Sequence, residues 1–158
     1  MTTSELLSQL NRVSDEVPFL NLEWSKLKSA IAGAKQQLEV LHQDKVKLAE
    51  TLTTIEEKYA TIESDKTRPD YASQLNAVRE ARREIQTDVK SVDFQIANVI
   101  TEEKRYESSM EFIKKRLESL MQKSRIILNT LSEGANPELQ TRIRQSLDAV
   151  TSAESAIS

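Results

Sequence analysis

The stretch that decides the fold is LTTIEEKYATIESDKTRPDYASQLNAV, residues 52–78. Its first half carries Leu52, Ile55, Tyr59 and Ile62 at alternating steps of three and four, and Tyr71, Leu75 and Val78 resume the same stepping. Between them, Glu63 to Asp70 holds no apolar residue and gathers Ser64, Asp65, Thr67, Pro69 and Asp70. Alternation of three and four keeps apolar side chains on one narrow stripe of a helix, the seam of a coiled coil. A short polar break containing proline ends one such helix and begins another.

Working outward, the first series runs back through Leu48, Lys45, Leu41, Leu38, Ala34, Ile31, Leu27, Trp24, Leu20, Val17, Val13 and Leu10 to Leu6. The second runs on through Arg82, Ile85, Val89, Val92, Ile96, Val99, Glu103, Tyr106, Met110, Ile113, Leu117, Leu120, Ser124 and Ile127 to Leu131. Of these 35 seam positions, 31 are apolar, in a chain that is 38% hydrophobic overall. The sequence therefore predicts an all-α fold: a long antiparallel coiled-coil helical hairpin over residues 1–133, with helices at about 3–64 and 69–132. Each helix would be about 85 to 90 Å long at 1.5 Å per residue. Pro18 interrupts nothing in the stepping, yet it removes a backbone hydrogen bond. A kink near 14–18, or a separate short helix before it, is expected.

Opposed seam residues are expected to have numbers adding to 137, so that Ile62 faces Leu75, Leu38 faces Val99 and Leu6 faces Leu131. Lys45 and Arg82 then lie in the seam and must carry their charges out to water along their methylene stems. Glu103 would face the small Ala34. Flanking positions are polar through the middle: Lys28, Lys35, Gln37, His42, Asp44, Glu56, Arg79, Gln86, Asp88 and Gln95. Near the open end, Leu7, Phe19, Leu22, Phe112, Met121, Ile126 and Leu128 lie off the stripe and call for another cover. Residues 134–158 offer one. Gly134, Asn136 and Pro137 suit a helix end and a restart, and Leu139, Ile143, Leu147, Val150 and Ile157 share a helical face. This third helix is expected to fold back beside Phe112 to Leu131.

Composition narrows function by exclusion. With 22 Lys and Arg against 25 Asp and Glu, the formal charge is −3, which argues against the many phosphate-neutralising cations of a nucleic-acid binder. The clusters Arg79, Arg82, Arg83, then Lys104, Arg105, then Lys114, Lys115, Arg116 are interleaved with acids, as on a solvated helix face. The same interleaving argues against membrane-surface binding by a curved helical dimer. Met1 to Leu7 is polar without a basic stretch, which reads against a secretory signal. A soluble, cytoplasmic protein is expected.

No cysteine is present, so thiolate metal sites and thiol nucleophiles are excluded. His42 has no second imidazole to share a metal with. Gly33 and Gly134 stand alone and cannot build a phosphate-cradling loop. No catalytic, cofactor-binding or metal residue is assigned, no cofactor is expected, and enzymatic activity is not expected.

What remains is binding. The leading expectation is a structural or adaptor protein, a helical rod or tether engaging other protein subunits, further copies of itself among them. In architecture this hairpin resembles the coiled-coil stalk proteins of flagellar and type III export apparatus and the arms of prefoldin, a likeness carried by no motif. It implies a second reading, a chaperone- or secretion-linked hairpin that handles other proteins. Candidate partner-binding residues are Val40, Val46, Phe94 and Ile100, read as an apolar strip along the middle of the hairpin, together with Asp65, Lys66 and Arg68 in the turn.

Overall fold

The structure, a computed structural model, describes residues 2–133 and 137–157, the side chain of Leu139 excepted. Three helices account for nearly all of it: α1, Thr3–Glu63, α2, Tyr71–Ser132, and α3, Pro137–Ile157. Helices α1 and α2 form an antiparallel hairpin and α3 packs back. None of the described helices is long and apolar enough to cross a membrane. The expectations for Gly134, Asn136 and the Leu139 side chain lie outside the described residues.

Local chemistry sets the helix ends. At the start of α1 the Thr2 hydroxyl accepts from the Glu5 backbone N–H at 3.2 Å, and Glu5 Oε2 accepts from the Thr2 N–H at 2.9 Å. This reciprocal pair is a capping box, which satisfies two donors that a helix leaves open. At the reversal, backbone bonds from Asp65 to Ile62, Arg68 to Asp65 and Tyr71 to Arg68 follow one another as tight turns. The expectation placed Pro69 inside the second helix. Instead α2 begins at Tyr71, because Asp70 supplies the cap: its carbonyl accepts from the Gln74 N–H at 3.0 Å and its Oδ2 from Gln74 Nε2 at 2.6 Å. Pro69 sits in the turn, where its missing N–H costs nothing.

Helix α1 continues through Pro18 without a break, so the separate short helix weighed from the sequence does not form. Pro18 is exposed, and the seam residues Val17 and Leu20 on either side stay in register within one core. Gly33 also lies inside α1, and a methyl group added there would meet nothing within 4 Å. Gly33→Ala is therefore expected to raise stability by about 0.5 to 1 kcal/mol, since alanine loses less backbone entropy in a helix. A denaturant titration of the two proteins measures it, and a loss of stability would contradict an unstrained helical site at this position.

The chain divides into two compact units. Unit 2, residues 32–104, is a bare two-helix seam. Ala34, Leu41, Ile96 and Val99 are buried in it, with Leu38 and Val92 packed against them. Lys45 Nζ lies 2.7 Å from Asp93 Oδ1, and Arg82 reaches Glu56 at 3.7 Å. The numbers in each ion pair add to 138, one step from the expected 137. A register one heptad away would part Lys45 from Asp93 by about 12 Å along the axis, beyond their reach. Arg82 also lies over the Tyr59 ring, 4.8 Å from its centroid, a cation–π contact that anchors its place in the seam. The seam cations thus cross to the opposite helix instead of only trailing into water.

Unit 1, residues 1–31 and 105–158, is a three-helix bundle with two contiguous cores. One gathers Val13, Leu20, Ile113, Leu117, Leu120, Met121, Val150 and Ala153, with Trp24 and Ile157 packed against it. The other gathers Leu10, Ile127, Leu128, Leu131 and Ile143, with Leu6 and Leu7 beside them. Ile143 lies in the second core and Val150 and Ala153 in the first, so α3 runs antiparallel to α2. Ser124, the polar seam residue, is fully buried. Its hydroxyl donates to the Leu120 carbonyl at 2.9 Å, which removes the cost of an unpaired buried donor.

Candidate protein-binding surfaces

Lettering the heptad with a and d on the seam separates the two flanks of the hairpin. Positions e and b lie on one flank, g and c on the other, and f points directly away from the seam. In unit 2 all four residues of the expected strip are exposed, Phe94 most of all at 68%. They do not share one flank. Val46 at b and Ile100 at e lie on the first flank, Val40 at c on the second, and Phe94 at f on the back of α2.

In the turn, Asp65 Oδ1 accepts from the Thr67 hydroxyl at 2.7 Å, and Arg68 Nε lies 3.3 Å from Asp70 Oδ1. Lys66 is exposed. Arg68 also lines an open groove of about 560 Å³ with Thr54, Thr61, Ile62, Gln74 and Val78. Of the three turn residues, Arg68 is the one placed beside apolar surface. Among the described residues, no group of three or more His, Asp or Glu side chains is placed to hold a metal ion.

In unit 1 the off-stripe apolar residues divide by flank. Leu7, Met121 and Leu128 are at e positions, and α3 covers them with Ile143, Val150, Ala153 and Ile157. An ion pair between Arg125 and Glu154 ties α2 to α3 at the edge. Asn21, also at e, has its Oδ1 buried without a hydrogen-bond partner among the described residues.

Two expectations about this packing are corrected. Leu147 is 38% exposed, because the strict alternation of three and four that runs from Ile143 through Val150 to Ala153 and Ile157 passes through Ser146, and Leu147 falls beside the stripe. Phe112, expected against α3, is 71% exposed. It occupies a c position, on the flank opposite α3. Phe19 and Ile126 are at c positions too and are likewise exposed, with Leu22 at f on the back of α1.

That uncovered flank carries charge as well. Arg116 donates to both Glu16 carboxylate oxygens, Nε to Oε1 at 2.8 Å and Nη2 to Oε2 at 3.0 Å. These hydrogen bonds hold the Glu16 carboxyl below its ordinary value; desolvation opposes them, and the charges of Arg116 and Lys123 reinforce them. Arg116 is raised in return. Both side chains stay more than a third exposed, so the pair orients the two helices more than it stabilises them. Beside it, Ser119, Lys123, Ile126 and Thr130 line a shallow groove of about 320 Å³.

The candidate surfaces are therefore two: scattered apolar groups on unit 2, and a continuous c and g flank on unit 1. Compared with protein-family models, curated proteins and solved structures, the chain matches none.

Proposed function

We propose that this chain is a non-enzymatic structural or adaptor protein, a helical hairpin that works by holding other proteins in a larger assembly. The observation that carries the reading is the exposure of large apolar side chains outside the seams. Phe94, Val46 and Val40 on unit 2 stand in water at positions that an isolated two-stranded coil fills with polar residues. A seam only two helices wide has no interior behind its side chains in which to bury a substrate. Surfaces are what it offers.

Because the exposed groups of unit 2 point in different directions, contact with partners is expected from more than one side. The double variant Val40→Glu with Phe94→Glu should lose its partners while keeping its helicity, since burying an unpaired carboxylate in an interface is costly. The tagged full chain, purified from its native source and compared with the variant, reads this directly. A stoichiometric complex that the variant no longer holds supports the adaptor reading. A heterogeneous set of unfolded clients would favour the chaperone reading instead, and an unchanged complex would move the contact surface away from Val40 and Phe94.

A further inference from the structure

We propose that the e and b flank of unit 2, along Arg79, Arg83 and Lys90, takes a helix of another protein that carries carboxylates along one edge. The proposal rests on the reading that the chain works by binding proteins, and it gives the partner at this surface its chemistry.

The first argument is how charge is sorted. Cations and acids of α2 are interleaved along the sequence, but heptad position separates them. Between Asn76 and Lys104, the cations Arg79, Arg83, Lys90 and Lys104 stand at e or b and are exposed. Glu80, Glu84, Asp88 and Glu102 stand at c, f or g, on the back or the other flank. Two acids at e positions, Asp93 of α2 and Glu56 of α1, already hold the seam cations Lys45 and Arg82. Glu39 and Glu103 lie further along, Glu39 one turn from Lys35 and Glu103 next to Lys104. That leaves Arg79, Arg83 and Lys90, none of which enters an ion pair among the described residues. Arg79 and Arg83 are one turn apart, and like charges at that spacing weaken a helix. A carboxylate shared between the two guanidinium groups relieves that repulsion.

The second argument is the facing wall. Numbers adding to 138, as in both seam ion pairs, put Thr53, Ala49 and Val46 of α1 level with Ile85, Val89 and Val92 of α2. All three α1 residues are exposed and uncharged, and the Thr53 hydroxyl already donates to the Ala49 carbonyl at 3.0 Å. The flank is thus basic on its α2 side and neutral to apolar on its α1 side. Duplex nucleic acid would set phosphates against both sides, whereas a helix can meet each side with a different edge.

Unit 1 shows how such a flank is covered. There α3 lays Val150, Ala153 and Ile157 on the hairpin and brings Glu154 to Arg125, a cation at b on α2. Arg83 and Lys90 are b cations of unit 2, and among the described residues no helix lies over them. They stand one heptad apart, so the partner is expected to carry acids seven residues apart, with small or apolar residues on the adjoining face.

Fluorescence anisotropy of the full chain with a labelled synthetic helix as long as α3 tests the proposal. The probe carries glutamates seven residues apart along one edge and alanine and leucine on the adjoining face. It should bind, with an affinity that falls as salt is added, and the same helix with lysines for glutamates should not. Arg79→Glu with Arg83→Glu should weaken binding by about tenfold or more at unchanged helicity, since both residues are exposed. Lys47→Glu with Lys58→Glu, on the other flank, should change it by no more than about twofold. Absence of binding, or binding that survives the Arg79 and Arg83 changes, would overturn the proposal. So would tighter binding of a short DNA duplex through the same two arginines, which would assign the flank to phosphates. Neither Val40 nor Phe94 lies on this flank, so failure here and failure of the adaptor reading are told apart by the Val40→Glu and Phe94→Glu comparison.

Discussion

Leu117→Ala is expected to cost about 2 to 5 kcal/mol of unfolding free energy. Leu117 is fully buried and belongs to the core where all three helices of unit 1 meet, with Leu20, Leu120 and Ala153. Truncation there leaves a cavity that three converging backbones cannot easily close. Leu22→Ala makes the same chemical change on the exposed back of α1 and is expected to change stability by no more than about 0.5 kcal/mol. Chemical denaturation of the two variants gives the comparison. Similar losses from both would contradict a three-helix core centred on Leu117.

Ending the chain at Glu133 is the second large perturbation. It removes Ile143, Val150 and Ala153, all buried against α1 and α2, and uncovers Met121 and Leu128, which are 3% and 1% exposed in the full chain. The truncated protein should bind a hydrophobic dye and aggregate, since an uncovered apolar patch seeks another cover. The full-length variant Ala153→Glu applies the same test more gently, because a carboxylate at a buried contact with no cation assigned to it disfavours docking of α3. If both proteins behave as the unaltered chain does, α3 is not a structural part of unit 1.

Much of this was legible in the sequence, for a physical reason. A coiled-coil seam repeats one requirement many times, so the stepping from Leu6 to Ile62 and from Tyr71 to Leu131 defined both helices, and the short turn left only a hairpin. The neighbourhood of Leu38 also followed: it packs against the cluster that holds Val99, because few registers fit so brief a reversal. What the stepping alone could not separate was the two flanks. Leu7, Met121, Leu128, Phe19, Phe112 and Ile126 all read as apolar residues off the stripe. Heptad letters divide them into e positions under α3 and c positions in the open, and without that division Phe112 reads as a contact of α3.

Leu147 misled for a related reason. Its apolar character and its place four residues after Ile143 suggest a seam residue, whereas the alternation continued through Val150 to Ala153 and Ile157 assigns that place to Ser146. The cap at Thr2 is also present in the sequence, as Thr2-Thr3-Ser4-Glu5, but it stands outside the apolar series, which starts only at Leu6. Pro18 shows a limit of local rules: a helix held along a continuous seam tolerates the loss of one backbone bond. The binding surfaces were least legible. Val40, Val46, Phe94 and Ile100 are evident as exposed apolar residues, but only their heptad positions reveal that they point in different directions.

The antiparallel hairpin and its register underlie every other inference, and one measurement tests both. The chain has no cysteine of its own, so the double variant Leu38→Cys with Val99→Cys reports on a single pair. Oxidised in dilute solution, it should form a disulfide within one chain, because opposed seam residues bring their Cα atoms within the roughly 7 Å that a disulfide spans. Linkage found only between chains would contradict the hairpin itself, and failure of this pair while Leu38→Cys with Val92→Cys links readily would contradict its register.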